Sequence, residues 1–550
     1  MPKSKTQRVV FQPRTRQSIQ AGMNQVVNAV RPTLGPQPRG VAIDNTDYYS
    51  EAPEFIDNGG TIARYIIQLQ DKDADMGAML VRDLLWRLQE QIGDGTATAA
   101  VIFQKVFNEG VRFLTAGGNA MRLQVQLLEG ARLILQQLNS MTWRIAGKKQ
   151  LAQAAETLCF DPTLAGYMGE VFEIIGEYGR LEIRPGQNRN VEREYVEGMY
   201  WERGLLVREM YADHSKPRVE FEDAAILISD IEINDARQIY PALELALRAE
   251  IQGLLIVTKQ LSGDAIGFLL SNRKPEKFQA IAVKTPGLVR EEQMAALEDL
   301  AILTGGRPFI SAAGDTLDKI KIEDFGRARR IWANYDNFGI SGGKGNPRDL
   351  RRHVATLRQV YTSAETNTNR TKIQKRIGKL LGGSATLHVG GITEREIESR
   401  VELAKRTAVT LRGAMMDGVL AGGGVAFLDS RPALLRKRDN STDSEQHAAY
   451  QILIEAMEAP FRTIVDNAGF DASEIMAEVR LAGAGHGFDV KKQQVVDMAQ
   501  AQIYDAATVL KGAMFGAVST AAMALTIDAL VHQAQVEKAP LPKTPKRKQL

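Results

Sequence analysis

Apolar residues recur along much of this chain at the period of an amphipathic helix. Ala99, Ile102, Phe103, Val106 and Phe107 stand at offsets i, i+3, i+4, i+7 and i+8. The pattern predicts helices over 17–30 and 80–91, then from residue 93 to about 137 with a break at Ala116-Gly117-Gly118-Asn119. Pro32 and Pro36 stop the first of these. Val41 to Ile43 reads as a short strand. Near residue 180 the texture changes. Leu181-Glu182-Ile183, Ala225-Ile226-Leu227-Ile228, Gly253-Leu254-Leu255-Ile256-Val257 and Ala280-Ile281-Ala282-Val283 are short β-rich runs, separated by helical stretches over 236–249 and 264–272. After residue 365 the helical period returns over 372–381, 393–416, 446–467 and 506–533, interrupted by Gly422-Gly423-Gly424. Two helical regions therefore bracket an α/β middle. The two are expected to pack into one core, with the middle as an insertion joined by two strands of chain, a natural hinge.

Bulk properties narrow the classes. At 550 residues the chain is too long for one hydrophobic core and suggests about three domains. Its net charge of +3, from 69 basic and 66 acidic residues, gives no general case for nucleic-acid binding. An aromatic share of 6% argues against a base-stacking surface. The single Cys159 excludes an intrachain disulfide, fits a reducing compartment and reads as a small buried hydrophobe. Residues 1–16 form a polar, basic arm without a signal-peptide core, and no apolar run approaches a membrane span. The expectation is a cytoplasmic protein with no membrane partner. Residues 537–550, rich in Pro and Lys, are expected to be disordered.

The candidate chemistry lies at the start of the helix that Ala99 belongs to. Residues 93–98 read Gly-Asp-Gly-Thr-Ala-Thr. A helix N-terminus offers unpaired N–H groups and a positive dipole end to an anion. Glycines allow close backbone approach. Asp94 would repel a phosphate unless a divalent cation bridges the two. The alternative is an ordinary turn with Thr96 as N-cap.

Several segments, in order and over nearly the whole chain, resemble the bacterial-type (GroEL-like, group I) chaperonins, and the resemblance implies a divergent member of that family. They are Thr33-Leu34-Gly35-Pro36, Gly93-Asp94-Gly95-Thr96, Val196-Glu197-Gly198-Met199, Leu303-Thr304-Gly305-Gly306, Ala421-Gly422-Gly423-Gly424-Val425-Ala426 and Met457-Glu458-Ala459-Pro460. The resemblance implies a multi-domain α+β/α/β chaperonin fold. A mostly helical equatorial domain would comprise 1–140 and 417–550, a small intermediate hinge domain 141–196 and 384–416, and an α/β apical domain 197–383. It implies ATP or ADP and Mg as cofactors. Thr33, Leu34, Gly35 and Pro36 would contact phosphates and base, Asp94 would hold magnesium, and Gly95, Thr96, Ala97 and Thr98 would hold phosphate. Gly423 would let backbone approach the nucleotide, Asp489 would lie beside the base and Asp505 near the ribose. Ala97 stands where a Thr is usual and removes one hydroxyl.

Two carboxylates on which the family's hydrolysis depends are replaced. Asn58 occupies one position, with Asp57 adjacent. Arg406 occupies the other, or Leu403 in a shifted register, with Glu402 one turn before Arg406. An Asn cannot accept a proton, and an Arg inverts the charge. The expected protein binds nucleotide and magnesium but hydrolyses weakly or not at all, with Glu402 or Asp57 as the available substitutes.

The resemblance also implies partners: a homo-oligomeric ring, stacked in heptamers, non-native polypeptides and a lid co-chaperonin. Leu205, Tyr240, Leu243, Ile266 and Leu270 match the client-binding positions. Two further readings stay open, a structural or scaffolding ring without a folding cycle and a conventional chaperonin ATPase with relocated acids.

Overall fold

The structure is a computed structural model and describes residues 8–44, 53–56, 58–197, 199–211, 218–273, 277–364, 366–381 and 383–532. The chain forms two compact units. One comprises 1–146, 153–161 and 409–550, and the other 147–152 and 162–408. The division falls inside the helices Gly147–Cys159 and Glu394–Asp417.

The first unit is helical. Helix Thr96–Thr115 is its centre and packs against Ser444–Asn467 and Ala507–Ala524. The two helical halves thus share one core, in which Phe103, Phe107, Leu453, Met457 and Met514 are fully buried. Helix Arg14–Val30 crosses Lys72–Gln91 with backbone against backbone. A Cβ on Gly22 would lie 1.7 Å from the Ala74 carbonyl oxygen, and one on Gly77 would lie 2.1 Å from that of Ile19. Only glycine permits that approach.

Ala507–Ala524 corrects one expectation. It is the one helix among the described residues long and apolar enough to cross a membrane. Here Val509, Leu510, Ala513, Met514, Ala517 and Val518 are all buried within the unit. The helix also ends earlier than its sequence pattern suggests, and Ala529–His532 continues as a strand antiparallel to Arg8–Phe11. Part of the N-terminal arm is therefore ordered structure. The fully buried Asp73 ties the two strands down, meeting Arg8 at 2.7 Å, Arg14 at 3.0 Å and His532 at 2.9 Å. The tail 537–550 lies outside the described residues.

The second unit holds the strand-rich middle. Its seven-stranded mixed sheet runs in the order Gln279–Lys284, Gly253–Thr258, Val219–Ser229, Gly326–Ala333, Asn337–Gly343, Met199–Glu202, with Pro308–Phe309 also on Val219–Ser229. The first three are parallel and the next pairings antiparallel. Gly253–Thr258 is buried at every residue, as a central parallel strand covered on both faces must be. A three-stranded sheet places Gly383–Val389 between Arg180–Pro185 and Glu192–Glu197.

Candidate functional site

The hexapeptide 93–98 opens a helix, but not as a capped turn. The N-cap is Gly95, not Thr96, at φ +84°, and no side chain caps the helix. Gly93 shares this left-handed conformation. The loop has little freedom at Gly95, where a Cβ would lie 2.7 Å from Val509 Cγ1. Thr96 and Ala97 are buried while Asp94 is exposed, its Oδ1 accepting the Gly95 N–H at 2.7 Å. The result is an uncapped N-terminus with an exposed carboxylate beside it.

Two other segments converge there. A Cβ on Gly59 would meet Val30 at 2.6 Å, Thr96 Oγ1 at 3.1 Å and Thr33 Oγ1 at 3.5 Å. Residues 33, 59 and 96, far apart in sequence, therefore line one small space. The Thr33 hydroxyl donates to the Val30 carbonyl at 2.8 Å. Beyond it the chain turns through Gly35 at φ +115°. Asn467, at the end of its helix, holds this turn by donating to the carbonyls of Arg31 and Leu34 at 3.0 and 2.8 Å. Nothing in the sequence pattern marks Asn467 for that task.

The third wall is built by strand Val419–Ala421, paired antiparallel with Tyr504–Ala506 so that Leu420 faces Asp505. Gly423 and Gly424 follow at φ +65° and +80° and lead into helix Val425–Asp439. Their N–H groups donate to the Asp505 carboxylate. Burial, then the charge of Asp94, push Asp505 up to about 7 despite those donors. Two carboxylates that repel one another beside an uncapped helix N-terminus suit a divalent cation accompanied by a phosphate. The donor set therefore fits a magnesium nucleotide.

Asn58 is the N-cap of helix Gly59–Tyr65, its Oδ1 accepting the Thr61 N–H at 2.9 Å. Asp57 lies outside the described residues. Asp489 is 7% exposed and turned into its own hairpin, accepting the N–H groups of Lys491 and Lys492 at 3.0 and 3.2 Å. Arg406, Leu403 and Glu402 lie on helix Glu394–Asp417, in the stretch belonging to the second unit. Glu402 is exposed, and the half-buried Arg406 has an Nε without a hydrogen-bond partner.

The five client positions divide. Leu205 is fully buried, because the chain there adds to the sheet edge, Leu205 bridging to Val283 and Leu206 N–H donating to Ala282. Leu243 is also in the core, since helix Tyr240–Arg248 turns Ala242, Leu243 and Ala246 inward. Neither offers the exposed apolar surface expected of it. Tyr240 is 54% exposed, with its ring 6.4 Å from that of Phe268. Ile266, Phe268 and Leu270 are half-buried on helix Gly263–Ser271. Leu247, two turns beyond Tyr240 and equally exposed, belongs to this face but was not singled out by sequence.

Residues 26–535 match the TCP-1/cpn60 chaperonin family, and the chain belongs to it. The fold is also that of the chaperonin gp146 from the bacteriophage EL 2 (Pseudomonas aeruginosa), crystallised in the presence of ATP-BeFx. Crystal form I matches with a TM-score of 0.71 at 17% identity, covering 96% of this chain and 99% of that one. Form II matches with a TM-score of 0.62 at 18% identity, covering 97% and 100%.

Proposed function

We propose that this chain is a group I, GroEL-like chaperonin that forms cytoplasmic rings, holds ATP and magnesium, captures non-native polypeptides and hydrolyses ATP weakly or not at all. The observation that carries this reading is the meeting of Thr33, Gly59 and Thr96 around one uncapped helix N-terminus. The resemblance supports the finer statements, including three domains, heptameric stacking and a lid.

Thr33 to Pro36 and the N–H groups of Gly95 to Thr98 would hold the phosphates, with Asp94 as the magnesium ligand. Gly423 and Asp505 would face the nucleoside. Bound magnesium would neutralise phosphate charge and relieve the repulsion between Asp94 and Asp505. Asp489 contributes to its hairpin turn rather than to base contact unless that turn opens.

The weak step is activation of water. Asn58 accepts the Thr61 N–H on its amide oxygen, which is a neutral and very weakly basic acceptor. It can neither take a proton nor carry charge. Losing a positioned general base costs about 10²–10⁴ in rate. Arg406 is a cation at the chain position where the resemblance expects a water-orienting carboxylate. Nucleotide holding rests on other residues and survives both changes.

Calorimetric titration with ATP and magnesium, together with electron microscopy of the same sample, tests the reading. Saturable binding that disappears in Asp94→Ala, on a ring-shaped particle, is the expected result. Absence of binding by an intact ring would favour the scaffolding reading, for which the burial of Leu205 and Leu243 already provides an argument.

A further inference from the structure

Whole-chain charge conceals a segregation. Residues 347–380 carry nine Arg or Lys and two acids, a net +7 in a chain of net +3, which leaves the remainder at −4. These residues form two helices, Pro347–Ser363 and Asn367–Leu380, packed on one another in the second unit.

Four of the nine cations have structural partners. Arg376 grips the buried Asp299 through Nε at 2.9 Å and Nη2 at 2.8 Å, with His353 Nε2 2.9 Å from the same carboxylate. The three acidic and imidazole groups there could be taken for a metal site, but the guanidinium already occupies it. Lys372 meets Glu292 at 2.9 Å, Arg358 lies over Tyr178 at 5.0 Å, and Lys379 over Trp201 at 6.0 Å.

The other five point outward. Arg348, Arg351, Arg370 and Lys375 are exposed and have no carboxylate partner among the described residues. Arg352 has only a 3.7 Å contact with the exposed Asp349. Arg348, Arg351 and Arg352 stand at i, i+3 and i+4, so like charges share one face, and they sit in the first turns of their helix, where the dipole disfavours cations. Helix stability alone would select against this arrangement.

The neighbouring exposed side chains say what the face suits. Gln359, Thr362, Thr368 and Asn369 supply hydroxyls and amides, and Val360 is the hairpin's one exposed large apolar residue among those described. A protein partner would look for buried apolar or aromatic anchors, which this face lacks. A phosphodiester backbone asks for cations and small polar groups and nothing more. Among the described residues no exposed aromatic is there to stack an unpaired base.

We infer that this helical hairpin binds the phosphate backbone of double-stranded nucleic acid without reading sequence. The inference is independent of nucleotide use by the first unit. At about 1.5 Å per residue the longer helix spans about 25 Å, the length of about seven base pairs.

Fluorescence anisotropy of a labelled DNA duplex of about 20 base pairs, titrated with the full chain at several salt concentrations, tests it. Binding should be micromolar at low salt, and log K against log[salt] should slope at about −4, from four to five phosphate contacts. Replacing Arg348, Arg351 and Arg352 together by Glu should weaken binding at least about tenfold and flatten the slope by about three. The Gln triple variant should flatten it equally if the Glu variant fails to assemble. Arg436→Glu with Lys437→Glu, an exposed basic pair in the first unit, should leave the slope unchanged. Unaltered binding by the Gln variant, or displacement of the duplex by polyglutamate at equal charge, would overturn the proposal, the latter in favour of an acidic protein partner.

Discussion

The proposed nucleotide pocket around Gly95 is built from backbone, whereas the proposed client face around Tyr240 is built from side chains. In the first, glycines take left-handed conformations and a helix end is left uncapped. On the face, everything depends on which side of a nine-residue helix is turned outward. Backbone sites constrain residue type directly, because little but glycine survives there. Apolar faces do not, because the same Leu serves inside or outside. Each of the following variants tests that difference.

The largest effect is expected in the pocket. Asn58→Asp combined with Arg406→Asp should raise steady-state phosphate release by about 10²-fold or more, since on the proposed reading the phosphate cradle is retained. If the wild type already turns over quickly, Glu402→Gln becomes the informative variant. On the face, Leu243→Ser should cost about 2–5 kcal/mol in chemical denaturation, because it leaves a cavity and buries a hydroxyl. Tyr240→Ser should cost under about 0.5 kcal/mol and instead reduce capture of a denatured protein. Equal stability losses would remove the distinction between the two positions.

Gly95→Ala should cost about 1–2 kcal/mol from its left-handed backbone and more from contact with Val509, and weaken nucleotide binding by about tenfold. A further effect is a pH dependence at Asp505. Its carboxyl is raised from 3.8 to about 7, so the folded state holds a proton that the unfolded state releases. Its stabilising contribution is complete below about pH 4 and is lost as pH rises through about 7, with a slope of up to about 1.4 kcal/mol per pH unit. Asp505→Asn should flatten that slope in thermal melts of the nucleotide-free protein.

The same contrast accounts for what could be read in advance. The strand runs at 225–228, 253–257 and 280–283 all lie in the large sheet, because buried parallel strands are continuous apolar runs. The helices flanking Gly95 were legible from their period. Strands Gly326–Ala333 and Asn337–Gly343 were not, since arginines and glycines break up their apolar pattern. Strand Arg8–Phe11 was taken for an arm because its partner lies more than 500 residues away. The glycines at 35 and 423 were legible only through the resemblance, while Gly59 and Asn467 act through tertiary contacts that leave no local signature. Leu205 and Leu243 are buried for the reason already given: packing, which no local pattern records, decided which way they turn.

The central claim is that the pocket holds what it scarcely cleaves. Magnesium-dependent ATP binding and steady-state phosphate release, measured on one wild-type sample, test it directly. Saturable binding with turnover about 10²-fold below that of the Asn58→Asp, Arg406→Asp variant is the predicted result. Turnover equal to that variant, abolished by Asp94→Ala, would contradict it.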